Sequence, residues 1–92
     1  MANLSVAERK AIMQAIEKQL AQDELSIGEA IKAIRTELYG MTQTQYARFI
    51  KVSDKTLRDV EKGNTDARLS VINKLLAPGG FTLSAKCVKT SL

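Results

Sequence analysis

Between Lys51 and Gly63 the chain carries Asp54, Lys55, Thr56, Arg58, Asp59 and Lys62. At helical spacing Asp54, Lys55, Arg58 and Lys62 share one exposed face, with Thr56 and Asp59 alongside. Ammonium and guanidinium groups donate hydrogen bonds to phosphates and to base edges, and a hydroxyl or carboxylate can meet a base edge as well. This is the chemistry of recognition. Chemistry that breaks bonds is poorly provided for. There is no His, which removes imidazole acid–base catalysis and imidazole metal ligation. Cys87 is the one cysteine, so neither an intrachain disulfide nor a multi-thiolate zinc site can form, and a reduced, cytoplasmic setting fits. The carboxylates fall on helix faces or in caps. No Gly-rich phosphate loop and no metal constellation stands out, so the reading is a non-enzyme with no cofactor.

The elements that must hold this face are punctuated by their own caps. Ser5-x-x-Glu8 opens a helix to about Gln22, with a narrow apolar stripe of Ile12, Met13, Ile16 and Leu20 that suits a helix lying on a surface. Ser26-x-x-Glu29 opens a second, whose Ile27, Ala30, Ile31, Ile34 and Leu38 follow the helical repeat and which Gly40 ends. Thr42-x-x-Gln45 opens a third to about Ile50, with Tyr46, Ala47, Phe49 and Ile50 as its apolar members. Ser53 caps a fourth, from Asp54 to about Lys62, with Leu57 and Val60 turned inward. A fifth begins near Asp66 and buries Leu69, Ile72, Leu75 and Leu76 before Pro78 bounds it. Two helices of about eight residues joined by three residues, with a small Ala47 at the crossing, satisfy the needs of a helix-turn-helix.

The 92 residues carry a formal charge of +4, and the charge is uneven: −1 over Met1–Gly40, +2 over Met41–Thr65 and +3 over Asp66–Leu92. A basic half is the electrostatic footprint of a nucleic-acid binder. No apolar run approaches the length of a membrane span, and no apolar core of the signal-peptide kind marks the first residues.

The stretch MTQTQYARFIKVSDKTLRDVEKG, residues 41–63, resembles the lambda-repressor-like (Xre) helix-turn-helix family, and the likeness extends over Ile27–Leu76. The Thr42-Gln43 opening, the small Ala47 and the Glu61-Lys62-Gly63 exit carry it. The resemblance implies an all-α bundle in which Ser53–Lys62 is the recognition helix in the major groove. It places Thr42, Gln43, Lys51, Ser53, Asp54, Lys55, Thr56, Arg58 and Lys62 at double-stranded DNA. Gln43 would hold a phosphate and brace the recognition helix, while Asp54, Lys55, Thr56 and Arg58 would face base edges or their flanking phosphates. Asp54 can accept from cytosine or complement its own helix dipole. Lys51 stands where the family usually has Gly; if left-handed, its Cβ costs about 1 kcal/mol.

The tail Phe81–Cys87 alternates apolar and polar, a period of two that predicts a strand. A lone strand needs a mate, so Phe81, Leu83, Ala85 and Cys87 are expected to form a two-fold dimer ribbon, giving a homodimer on a near-palindromic site. The expected organisation is an accessory helix in 1–25, the helix-turn-helix domain in 26–78 and the strand in 79–92. A helix-turn-helix followed by a strand-forming tail is similar to HipB-type antitoxins, which implies a repressor with a kinase-like toxin as partner. The alternative is a protein-binding adaptor on the same scaffold; such an adaptor should carry apolar anchors on the face of Ser53–Lys62.

Overall fold

The first four N–H groups of a helix have no partner within it, and this chain satisfies them with reciprocal side-chain caps. The hydroxyls of Ser5, Ser26 and Thr42 accept from the backbone three residues on, while Glu8, Glu29 and Gln45 accept from the cap's own N–H. These hydrogen bonds hold the Glu8 and Glu29 carboxyls below the usual range. The three boxes open α1 (Val6–Ala21), α2 (Ile27–Ala33) and α3 (Gln43–Ile50). Ser53 caps α4 (Asp54–Lys62), and α5 (Leu69–Leu76) follows Arg68, which supplies no side-chain cap. The computed structural model describes residues 3–64 and 66–85, and all regular structure among them is helical.

The second helix does not run straight to its glycine. After Ala33 it widens into a π-helical turn, Ile34–Leu38, and Gly40 then takes a positive φ of 59°. Ile31, Ile34 and Leu38 nevertheless stay on the inner side, where they meet Tyr46, Ala47, Leu57, Val60 and Leu75 in one buried cluster. Ile16 of α1 joins that same cluster, with Ile12, Met13 and Leu20 packed partly buried around it. α1 is also fastened at its start. The Arg9 guanidinium lies 5.2 Å from the Tyr39 ring centroid and reaches the Leu38 carbonyl at 3.4 Å. Two phenols tie the outer helices together: Tyr46 donates to the Leu75 carbonyl at 2.8 Å and Tyr39 to the Pro78 carbonyl at 2.7 Å. Burial, first of all, pushes the Tyr46 phenol well above its ordinary range, so it stays a donor.

Several apolar residues sit further out than their spacing predicts. Phe49 is 52 % exposed, its ring tilted against those of Tyr39 and Tyr46 instead of being sealed in the core. Ile27 is 43 % exposed because its neighbour Gly28 takes the inward position. Leu69 is 72 % exposed, since α5 begins three residues later than Asp66 and Leu69 is its first residue.

The expected strand is absent from the described part of the tail. Phe81–Ala85 runs without a strand partner, and two of its backbone N–H groups are bonded within the chain. The Phe81 N–H donates to the Leu76 carbonyl, and the Leu83 N–H donates to Asn73 Oδ1 at 2.7 Å. Phe81 and Leu83 pack partly buried on the core, and Ala85 is exposed. A carboxamide on α5 therefore meets one of the N–H groups that a second strand was expected to meet. Cys87, the last of the four expected dimer residues, lies outside the described residues.

Gly28 is where α2 meets α4. A Cβ there would run into the backbone carbonyls of Val60 and Glu61, which cannot swing aside as a side-chain tip could. Gly28→Ala is expected to destabilise the fold by about 1–3 kcal/mol, as overpacking typically does. A urea-denaturation midpoint equal to that of the parent chain would contradict this packing.

Candidate nucleic-acid interface

The interface is built outward from one buried ion pair. Arg35 falls in the π-helical turn with its side chain 8 % exposed, and Glu61 near the end of α4 is 4 % exposed. Arg35 Nε donates to Glu61 Oε2 at 2.7 Å and Arg35 Nη2 to Oε1 at 2.9 Å, a bidentate arrangement that fixes both planes. The remaining guanidinium nitrogen donates to the Met41 carbonyl at 2.9 Å, just ahead of α3. Gln43 Nε2 then donates to Glu61 Oε1 at 3.0 Å. One carboxylate thereby joins α2's extension, the first turn of α3 and the last turn of α4.

The other end of α4 is tied to α3 as well. The Thr44 hydroxyl donates to Asp54 Oδ2 at 2.9 Å. Ser53 caps by accepting from the Thr56 N–H at 3.0 Å, and its hydroxyl meets that of Thr56 at 2.8 Å. Between the helices Lys51 adopts φ 68°, ψ 47°, the left-handed conformation, and its N–H and that of Val52 both return to the Ala47 carbonyl. The Lys51 side chain is exposed, and it carries the steric cost of a Cβ in this region where a glycine would carry none.

With Leu57 and Val60 buried, the outer side of α4 presents Asp54, Lys55, Arg58 and Lys62 as exposed residues, and Thr56 and Asp59 as half-buried ones. Lys55 Nζ donates to Asp59 Oδ2 at 2.7 Å, one helical turn apart. That hydrogen bond, followed by the charges of Lys55, Lys62 and Arg58, holds the Asp59 carboxyl below its usual range. Arg58, Lys62, Lys51 and the nearby Arg48 make no side-chain hydrogen bond or ion pair among the described residues. No apolar side chain interrupts this outer face of α4.

Of the residues expected at DNA, Thr42 is the N-cap of α3 and Gln43 its first residue, Lys51 lies in the turn, Ser53 is the N-cap of α4, and Asp54, Lys55, Thr56, Arg58 and Lys62 lie along α4. Ser53 and Thr56 spend hydroxyl capacity on the cap, and Asp54 accepts from Thr44. Gln43 braces α4 through Glu61. Three contributors escaped the sequence reading: Arg35, Glu61 as its partner, and Thr44. A signal for Arg35 did exist. It lies four residues after Ile31 and three before Leu38, so it falls on the apolar side of its helix, where a charge must find a partner.

A helix-turn-helix family model matches residues 31–84, more than half of the chain. No curated protein and no solved structure matches the chain. Among the described residues, no helix is long and apolar enough to cross a membrane, and no group of His, Cys, Asp and Glu is gathered as a metal site.

Two outcomes follow from this geometry. Glu61→Ala leaves a buried guanidinium unpaired and should cost about 3–5 kcal/mol, whereas replacing Arg35 and Glu61 together by Met should cost far less. Equal losses for the two variants in chemical denaturation would contradict a desolvated pair. Lys51→Gly should raise stability by about 0.5–1 kcal/mol by relieving the left-handed Cβ; a fall in Tm would contradict the turn.

Proposed function

The chain belongs to the lambda-repressor-like helix-turn-helix family of DNA-binding transcription regulators, and from that premise we propose that it is a sequence-specific repressor that lays α4 in the major groove of duplex DNA. The observation that carries this reading is the outer face of α4: polar throughout, basic at Lys55, Arg58 and Lys62, and fixed in angle at both ends by Thr44–Asp54 and Gln43–Glu61. An adaptor that docks on protein would need apolar anchors there, and the face has none.

Affinity and choice of site divide between different groups. Arg48, Lys51 and Lys62 flank the motif as exposed cations suited to phosphates, whose neutralisation releases counterions and makes binding salt-dependent. Lys55, Thr56 and Arg58 project from the first two turns of α4, where a helix entering the groove meets base edges. Asp54, held by Thr44, complements the positive end of its own helix.

The finer proposals have narrower support. A dimer on a near-palindromic site is favoured by the small size of the domain and by the matching of half-sites to two-fold symmetry. Since Phe81 and Leu83 are engaged within their own chain, that dimer would need contacts other than a ribbon through these two residues. An antitoxin role, with a kinase-like toxin as partner, is supported by the resemblance to HipB-type proteins alone.

Arg58→Ala is expected to weaken binding to a selected duplex by about 1–3 kcal/mol while leaving the unfolding curve unchanged. Unaltered affinity in a gel-shift titration at fixed salt would count against α4 as the reading helix.

A further inference from the structure

On a DNA-facing helix a carboxylate is costly, because it repels phosphates. α4 nevertheless keeps Asp59 on that side, and the carboxylate is engaged: Lys55 Nζ lies 2.7 Å from Asp59 Oδ2, with the Lys55 side chain 78 % exposed and that of Asp59 33 %. We propose that Lys55 and Asp59 act as one specificity-determining unit that selects a G·C base pair, Lys55 donating to guanine N7 and O6 while Asp59 accepts from cytosine N4. This deepens the DNA-binding reading above and rests on it.

The donors and acceptors of the pair match those of one base-pair edge. An ammonium has three donors; one is used on Asp59, and two remain beside the carboxylate's free lone pairs. The unit therefore offers donor, donor, acceptor in sequence. In the major groove a G·C pair offers acceptor (N7), acceptor (O6), donor (N4–H), whereas an A·T pair offers acceptor, donor, acceptor. Guanine O6 and cytosine N4 are themselves a hydrogen bond apart, roughly 3 Å, close to the spacing of Nζ and Oδ2. The whole unit can meet the whole G·C edge without breaking its own bond. On A·T one of its two free donors faces another donor.

The pairing also explains why the acid is useful. A lone, exposed lysine is a mobile point charge that any phosphate satisfies. Tethered to Asp59 it is locally neutral and positionally defined, so it adds little to indiscriminate binding and more to choice. Arg48, Lys51 and Lys62, which carry no such partner among the described residues, are left to supply affinity.

The test starts from duplexes selected by the full chain out of a random pool. Each G·C pair of the selected site is then replaced in turn by A·T, and Kd is measured at fixed salt for the parent chain, Asp59→Ala, Lys55→Ala and the double variant. The parent should lose about tenfold or more at one G·C position. In both single variants that penalty should collapse while penalties at other positions persist, and the double variant should discriminate no worse than either single one. Asp59→Ala should also bind an unrelated duplex more tightly than the parent. A penalty retained in Asp59→Ala, or lost in Lys55→Ala alone, overturns the unit and leaves DNA binding standing. A parent chain that enriches no duplex overturns the DNA-binding reading itself. Unchanged thermal unfolding of the Lys55 and Asp59 variants separates both outcomes from misfolding.

Discussion

A guanidinium and a carboxylate, both almost withdrawn from water, sit where three helical segments meet, and the angle between the two motif helices depends on them. Burying an ion pair rarely adds much net stability, because desolvation consumes most of the Coulombic gain. What such a pair supplies is geometry. Arg35 and Glu61 meet through two parallel hydrogen bonds, Arg35 spends its remaining nitrogen on the Met41 carbonyl, and Glu61 accepts a third bond from Gln43. Together the four bonds tie the π-helical turn to the end of α4, to the entry of α3 and, through Gln43, to α3 itself. An apolar contact of similar size would hold the same segments together without fixing their rotation.

Around that pair the rest of the molecule has a consistent logic. Apolar burial by Ile31, Ile34, Leu38, Tyr46, Leu57 and Leu75 supplies the driving force, which is non-directional. The caps start each helix at a defined residue, so that the polar face of α4 falls where Lys55, Arg58 and Lys62 can project together. The left-handed Lys51 closes the short turn at a local cost, and its side chain is exposed. α1 closes the back of the bundle through Ile16 and clamps the end of the π-helical turn with Arg9. The buried side of α4, through Leu57 and Val60, thus serves stability, and its exposed side carries Lys55, Arg58 and Lys62, the groups proposed to meet DNA.

Much of this was legible in the sequence because it is local. A hydroxyl followed three residues later by Glu or Gln announces a helix start, and all three such boxes formed with both hydrogen bonds. The grouping of Lys55, Arg58 and Lys62 also follows from spacing, whereas the left-handed Lys51 is suggested only by the family resemblance, which puts Gly at that turn. What spacing does not give is tertiary. The exposure of Phe49 and Leu69 depends on where neighbouring helices stop and start, and the inward turn of Gly28 on how closely α4 approaches. The tail shows this most clearly. Its period-two pattern at Phe81–Ala85 predicts a paired strand, yet its Leu83 N–H is met by the Asn73 carboxamide, ten residues away in sequence and on a helix. An alternating pattern specifies conformation, and it does not specify who completes the hydrogen bonds.

The central claim is that α4, held by α3, is the surface that meets duplex DNA. Amide chemical-shift mapping of the labelled chain, titrated with a selected duplex at low salt, addresses it directly. The account predicts that the largest perturbations cluster at Gln43 and over Ser53–Asp59, with α1 unaffected. Perturbations centred on α1 or on the Phe81–Ala85 segment, with α4 silent, would contradict it.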